Sequence, residues 1–290
     1  MANRLNKSPR PGFHTVTPYL IVRELQPMIE FLQKAFAATL HFQAKGGAGG
    51  THTEMRIGDS MIMIGGGENG TVREPMPTMI FLYLEDVDGV YQAALEAGAT
   101  SLMEPTDGAF SEPRGAGIQD ISGNQWFFAN WRDRPGSPPA YEESEAEQAS
   151  DTSDVIPMLS YEDGAAAMDW LADIFGFQEV TRWLDDEGRL LHGEMLTGSG
   201  QIMLASPTPA YESPQHHRAH CAAAQAWSQV PWVVNGVLVY IEDVDAHYQR
   251  AKAAGATILS EPEAGPPGKR YRVEDIEGQR WMFMERSGEQ

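Results

Sequence analysis

Cysteine is nearly absent from this chain of 290 residues: Cys221 stands alone, so no internal disulfide can form, and a reducing compartment such as the cytoplasm is the expectation. Long apolar runs are missing too, none approaching the ~20 residues that a membrane-spanning helix needs. Basic residues are scarce, 21 Lys and Arg against 41 Asp and Glu, a net charge of −20. That deficit argues against nucleic acid and anionic membrane as partners, because both are held by clustered cations that release counterions. The opening MANRLNKSPRPG has cations with no apolar stretch behind them, so no secretory signal is read. With 42% hydrophobic residues the chain still has ample material for a core.

What is present is said twice. LEDVDGVYQAALEAGAT at 84–100 returns as IEDVDAHYQRAKAAGAT at 241–257, THTEMRIGDSMIMI at 51–64 as LHGEMLTGSGQIML at 191–204, and DISGNQWFF at 120–128 as DIEGQRWMF at 275–283. These matches define two copies, residues 13–131 and 154–286, and the second carries extra residues within 206–232. Between them, 132–153 is rich in Pro, Ser and Glu and too polar to bury, which reads as a linker. On this reading each copy is an independent folding unit with its own cup, and proteolysis of the linker frees two folded fragments.

Local patterns give each copy the order strand, helix, strands, then strand, helix, strands. MIEFLQKAFA at 28–37 puts Ile29, Leu32 and Phe36 on one helical face, Gly58-Asp59 marks a hairpin turn, and Asp86 caps a helix that Gly98 ends. The glycine runs at 46–50 and 65–67 lack the Lys-Ser/Thr of a phosphate loop and read as hairpin loops.

Such paired modules, with an acidic V-D helix start, an AGA-T exit and a D-x-x-G-x-x-W hairpin, resemble the vicinal oxygen chelate superfamily of glyoxalases, bleomycin-resistance proteins and extradiol dioxygenases. The resemblance implies an α+β fold of two tandem domains, each a pair of βαβββ modules forming a cupped mixed sheet with helices on the convex face. In metal-dependent members, inward positions on the first and last strands of each module supply His, Gln or Glu ligands. Here those positions align with Thr17, Met63, Met79 and Phe127, and with Ile156, Met203, Gly236 and Met282. Thioethers and aromatic rings do not ligate Zn²⁺, Mn²⁺ or Fe²⁺, so no metal is expected in the standard site, and a displaced divalent ion is the remaining metal option.

One polar pair recurs. Alternation in THTEMRIG sends Met55 and Ile57 toward the helices and His52, Glu54 and Arg56 into the cup, and the second copy repeats His192 and Glu194. Such a pair can act as general base, orient a tautomer or offer two ligands; a purely hydrogen-bonded strand pair looks the same. In the insertion, Ser213 and Pro214 start a helix expected to run through 227, placing His217 with Cys221 and His216 with His220 at i, i+4 as soft-metal or thiolate–imidazole pairs, or simply as surface packing. Arg56, Met63, Met79, Phe127, Met203, Tyr240 and Met282, with His217, Cys221, Trp227 and Trp232 of the insertion as a lid, are the candidate ligand contacts. Lys269, Arg270 and Arg272 at the rim either meet an anion or are solvated. The resulting expectation is a cytoplasmic protein, monomer or homodimer, that binds a small organic molecule without a metal. The alternative is a lyase or isomerase using His52 with Glu54 and His192 with Glu194.

Overall fold

The computed structural model describes residues 10, 12–46, 49–67, 77–130, 155–230, 236–265 and 267–285, apart from the side chain of residue 227. The 132–153 segment lies outside them. In the first copy β1 (Val16–Val22), α1 (Leu25–Phe36), β2 (Thr39–Lys45), β3 (Thr51–Ile57) and β4 (Ser60–Gly66) form one module. The next module is β5 (Met79–Tyr83), α2 (Val87–Glu96), β6 (Thr100–Asp107), β7 (Arg114–Gln119) and β8 (Gln125–Ala129). The second copy repeats the order with β9 (Val155–Ser160), α3 (Gly164–Trp170), β10 (Gln178–Leu184), β11 (Leu190–Thr197) and β12 (Gly200–Ala205). After the insertion's α4 (Pro214–His217) and α5 (Ala222–Ser228) come β13 (Gly236–Ile241), α6 (Val244–Ala253), β14 (Thr257–Glu263), β15 (Arg270–Glu274) and β16 (Arg280–Glu285). No helix among the described residues is long and apolar enough to cross a membrane.

Local chemistry explains these boundaries. Asp86, Asp163 and Asp243 each accept a hydrogen bond from the amide three residues on, at 2.9–3.0 Å, starting α2, α3 and α6. The D-x-x-G-x-x-W hairpins are organised by a buried carboxylate. Asp120 takes the amides of Ser122 and Asn124 and the Trp126 indole N–H at 2.7–3.0 Å. Asp275 does the same with Glu277, Gln279 and Trp281 and adds the Tyr161 hydroxyl at 2.7 Å. Burial lifts the Asp275 carboxyl to about 6 against the pull of those donors.

Two eight-stranded sheets result, in the orders β14-β15-β16-β13-β1-β4-β3-β2 and β10-β11-β12-β9-β5-β8-β7-β6. Each is a pair of βαβββ modules, as the repeat implied, but the pairing crosses the copies. The first sheet joins the first module of copy one to the last of copy two, and the second joins the two middle modules. The expectation of one self-contained cup per copy is therefore corrected. The seams are antiparallel: Val16 to Tyr19 against Val239 to Gly236, and Met79 to Leu82 against Met158 to Val155. Hydroxyls tie one sheet to the other, Thr15 ahead of β1 with Ser199 of the β11–β12 turn at 3.1 Å and Ser60 of β4 with the Val155 amide of β9 at 3.3 Å.

The helix-side cores stay within the copies. Leu20, Met28, Leu32, Met55, Ile64, Ile80, Trp126 and Phe128 belong to one, with only Val155 from the other copy. Met168, Leu171, Phe175, Val239, Tyr248, Trp281 and Phe283 belong to the second, with only Val16 from the first. The opposite faces carry two smaller apolar clusters, each built from both copies, and these are the cups.

Two outcomes follow. A chain cut once within 132–153 should elute from a sizing column as one particle under native conditions and separate only in denaturant, because both seams must open before the halves part. His247, buried in the second core, is the other handle. Its Nδ1 lies 2.6 Å from the Tyr271 hydroxyl and its Nε2 3.3 Å from the Phe175 carbonyl, an arrangement suited to the neutral ring. Burial, aided by the Arg250 charge, lowers its pKa from 6.5 to about 4. The unfolded chain thus binds the extra proton first, so this contribution is complete above pH 6.5 and fades as pH falls toward 4, by about 3 kcal/mol. Urea denaturation across that interval should show a shallower pH slope in His247→Phe than in the parent.

Candidate functional site

In the first cup the expected metal positions of β1 and β4 meet those of β13 and β16, so Thr17 and Met63 share a space with Gly236 and Met282. In the second, Met79 and Phe127 join Ile156 and Met203. The per-copy sets proposed from sequence are thus exchanged between cups. Neither regrouped set fits a divalent metal ion. One hydroxyl, four thioethers, a phenyl ring, an alkyl chain and a glycine provide no imidazole or carboxylate donor.

The first cup holds Phe13, Met61, Met63, Leu238, Tyr240 and Met284 in a buried cluster, with Tyr19 and Met282 against it. Phe13 is only 1% exposed, so the segment ahead of β1 lays its own ring into this cup. Arg10 stacks over that ring at 4.3 Å and grips Glu54 with two hydrogen bonds of 3.0 Å. Glu54 also faces His52 Nε2 at 3.2 Å, and His52 Nδ1 lies 3.1 Å from the Tyr19 hydroxyl. Both ring nitrogens of His52 are therefore engaged. Burial works to raise the Glu54 carboxyl, but the hydrogen bonds from His52 and Arg10 and the Arg10 charge outweigh it and hold the group below its ordinary value. Burial pushes the Tyr19 phenol up to about 12. Thr17 Oγ1 is buried in the same cup without a hydrogen-bond partner among the described residues, and the Tyr240 hydroxyl is buried beside Arg10, with burial pushing the phenol up against the pull of that cation.

Arg56 keeps the cup-facing register opposite Met61 but is exposed, its Nε donating to the Gly58 carbonyl at 3.0 Å, so it joins no cup network. Arg272 is 6% exposed and binds Glu263 at 3.0 Å; it is a buried wall of the first cup, not a solvated rim. Lys269 pairs with Asp245 and Arg270 with Glu263.

The second cup is aromatic. Phe81, Ala129, Ile156 and Met203 are its buried floor, with Tyr83, Phe127 and Met158 against them. Phe110 bends in from the β6–β7 loop, its backbone at φ 59°, a left-handed conformation unusual for a bulky residue. Ring centroids lie 5.0 Å apart for Phe81 and Tyr83, 5.4 Å for Phe81 and Phe110, and 5.8 Å for Phe110 and Phe127, all edge-to-face. Two glycines of β7 make this possible: a Cβ on Gly115 would stand 2.7 Å from the Phe110 ring and one on Gly117 2.8 Å from Phe127. The sequence reading missed Phe81, Tyr83 and Phe110. Its available signal was the alternation of glycine in R-G-A-G-I, which in a strand marks close approach.

On the far strands of this cup Glu194 sits opposite Met203, and Trp183 opposite His192. His192 Nε2 meets Glu194 Oε1 at 2.9 Å and the Trp183 ring lies 5.1 Å away. In the tautomer that donates Nε2–H to the carboxylate, the His192 Nδ1 is left as an acceptor.

The insertion is not one helix. After α4, amides of Ala219 and His220 bond three residues back, the turn tightens, and α5 begins anew at Ala222. His216 turns to Glu162 at 2.8 Å while His220 turns to Glu212 at 2.8 Å, which separates that expected pair. His217 faces Glu212 at 3.4 Å instead of Cys221, whose amide, not its thiol, reaches the His217 carbonyl. Trp232 and the Trp227 side chain lie outside the described residues. Arg218 clamps Glu274 of β15 at 2.7 and 2.8 Å, and Tyr211 bonds the Ser160 carbonyl at 2.9 Å. The insertion thereby roofs a cavity of about 170 Å³ at the β5–β9 seam, lined by Met79, Met158, Ser160, Tyr211, Glu212 and His217 among others. It borders the second cup, to which both copies contribute.

Residues 12–128 and 156–283 each match the family model for the Glyoxalase/Bleomycin resistance protein/Dioxygenase superfamily. The chain belongs to this superfamily. Glyoxalase I from Zea mays superposes on 93% of the chain and 91% of its own length with a TM-score of 0.66 at 14% identity, a likeness of fold. An uncharacterized protein of Mycobacterium bovis is 31% identical over 132 residues, 44% of this chain and 79% of the relative. A Mycobacterium tuberculosis counterpart has the same identity over 71% of its length. At six of the eight positions aligned with strand-borne ligands this chain has hydrophobic side chains, and the other two are Thr17 and Gly236.

Removal of Arg10 should expose how the first cup is held. Arg10→Met leaves Glu54, 3% exposed, with one fewer pair of donors, and is expected to cost about 2–4 kcal/mol in chemical denaturation. Adding Glu54→Gln should restore part of it, and strictly additive losses in the double-mutant cycle would refute the coupling.

Proposed function

We propose that the protein binds a small organic molecule with a flat apolar portion in its second cup, without a strand-borne metal ion. The observation that carries this reading is the edge-to-face array of Phe81, Tyr83, Phe110 and Phe127 over Met158 and Met203, admitted by Gly115 and Gly117. Aromatic edges and adaptable thioethers accept planar ligands of varied outline. The His192–Glu194 pair at the flank supplies the polar group that orients such a molecule. The first cup is the weaker candidate, because a ligand there must displace Phe13 and the Arg10–Glu54 pair. A net charge of −20 favours neutral or cationic molecules over anions.

N-phenyl-1-naphthylamine, neutral, flat and fluorescent when desolvated, is a suitable probe. It should bind saturably, and Phe127→Ala should weaken it roughly tenfold to thirtyfold, the worth of one buried aromatic contact. Met63→Ala in the first cup should leave the affinity unchanged. Equal affinities for the parent and Phe127→Ala would overturn the assignment.

A further inference from the structure

Glu212, His217 and His220 bring one carboxylate oxygen and two imidazole nitrogens to within 4.8 Å of one another. Glu212 Oε2 is the hub, 2.8 Å from His220 Nε2 and 3.4 Å from His217 Nδ1, and the two rings stand edge-to-face at 5.5 Å. We infer that this triad is a binding site for a borderline divalent transition-metal ion of the Zn²⁺ class.

Four features support the inference. The donor set, two imidazoles and a carboxylate, is one that zinc accepts while keeping a position open. The two distances to Glu212, 2.8 and 3.4 Å, lie on either side of the about 3.3 Å that separates ligands about 2.0–2.1 Å from a tetrahedral centre, and the whole set spans no more than 4.8 Å, so a small side-chain adjustment closes it on an ion. The tightened turn after α4 sets residues i and i+3 nearly in line, which places His217 and His220 on one side of the insertion. Finally, Glu212 and His217 also line the cavity at the β5–β9 seam, so an ion held by them borders a space walled by Thr78, Ser160 and Gln279 as well as by Met79 and Met158.

The site is separate from the strand positions that lack ligands, and it is confined to the extra residues of copy two. An ion there ties Glu212, ahead of α4, to the turn behind it, stiffening the roof over the second cup. Its remaining coordination positions are open to water or to a ligand oxygen from the cavity.

The test uses tag-free, full-length protein stripped by a chelator and titrated with Zn²⁺ against a chromophoric competitor, then with Co²⁺ for its visible bands. The expected result is one equivalent bound in the micromolar range or tighter, with a Zn²⁺-dependent rise in melting temperature. Glu212→Gln and His220→Ala should each weaken that equivalent by at least roughly tenfold, because losing a direct ligand costs no less than losing an outer hydrogen-bond partner. Glu212→Gln keeps the side chain's shape and so guards against misfolding. His216→Ala, on the neighbouring Glu162, should bind as the parent does. Absence of the tight equivalent, or its loss in His216→Ala or Cys221→Ser while Glu212→Gln retains it, overturns the assignment.

Discussion

Every property of the two cups depends on a pair of short antiparallel seams, β1 with β13 and β5 with β9. A module can cover one face of its four strands with the helices of its own copy, and the cores show that it does. The other face is only half a cup, and the half that completes it comes from the other copy. Pro18 and Pro157 occupy matching places in β1 and β9, opposite Val237 and Ile80. Proline has no N–H to give a ladder, so the apolar cup faces must carry much of each seam.

Within that common frame the two cups have diverged by what fills them. Both keep a His two residues before a buried Glu on the third strand of a module. In the first, Arg10 claims the carboxylate and Tyr19 the second imidazole nitrogen, and Phe13 takes the apolar volume. In the second, the imidazole lies tilted against Trp183 and the apolar volume is ringed by Phe81, Tyr83, Phe110 and Phe127. A part-buried Arg–Glu pair is weak evidence of stability in itself, yet it is costly to break once formed.

Much of the fold was legible because its causes are local. The repeat located the modules, Asp86 and Gly98 located α2, and the alternation in THTEMRIG sent Met55 to the helices and Glu54 to the cup. The D-x-x-G-x-x-W match reflects a physical device, a buried carboxylate collecting turn amides and an indole. The exchange of modules was not legible, since β1 could meet β5 or β13 with the same apolar edge and no periodicity distinguishes them. Arg10 lies 44 residues from Glu54, beyond any local pattern. Phe110 enters its cup only through a left-handed backbone and two glycines on another strand. The insertion reads as one helix by composition, yet it is two short helices, and between them Arg218 and His220 reach carboxylates in different directions.

Seams of this kind have a bearing on symmetry. A chain carrying only one copy would present two unpaired strand edges, and two such chains closing on each other would satisfy both by a twofold axis. The cups of that dimer would be identical by necessity, and any substitution would appear in both at once. Joining the copies in one polypeptide removes the axis while keeping the edges matched. Arg10 and Phe13 can then fill one cup while Gly115, Gly117 and Phe110 shape the other, and an insertion can border a single mouth without a counterpart across the molecule.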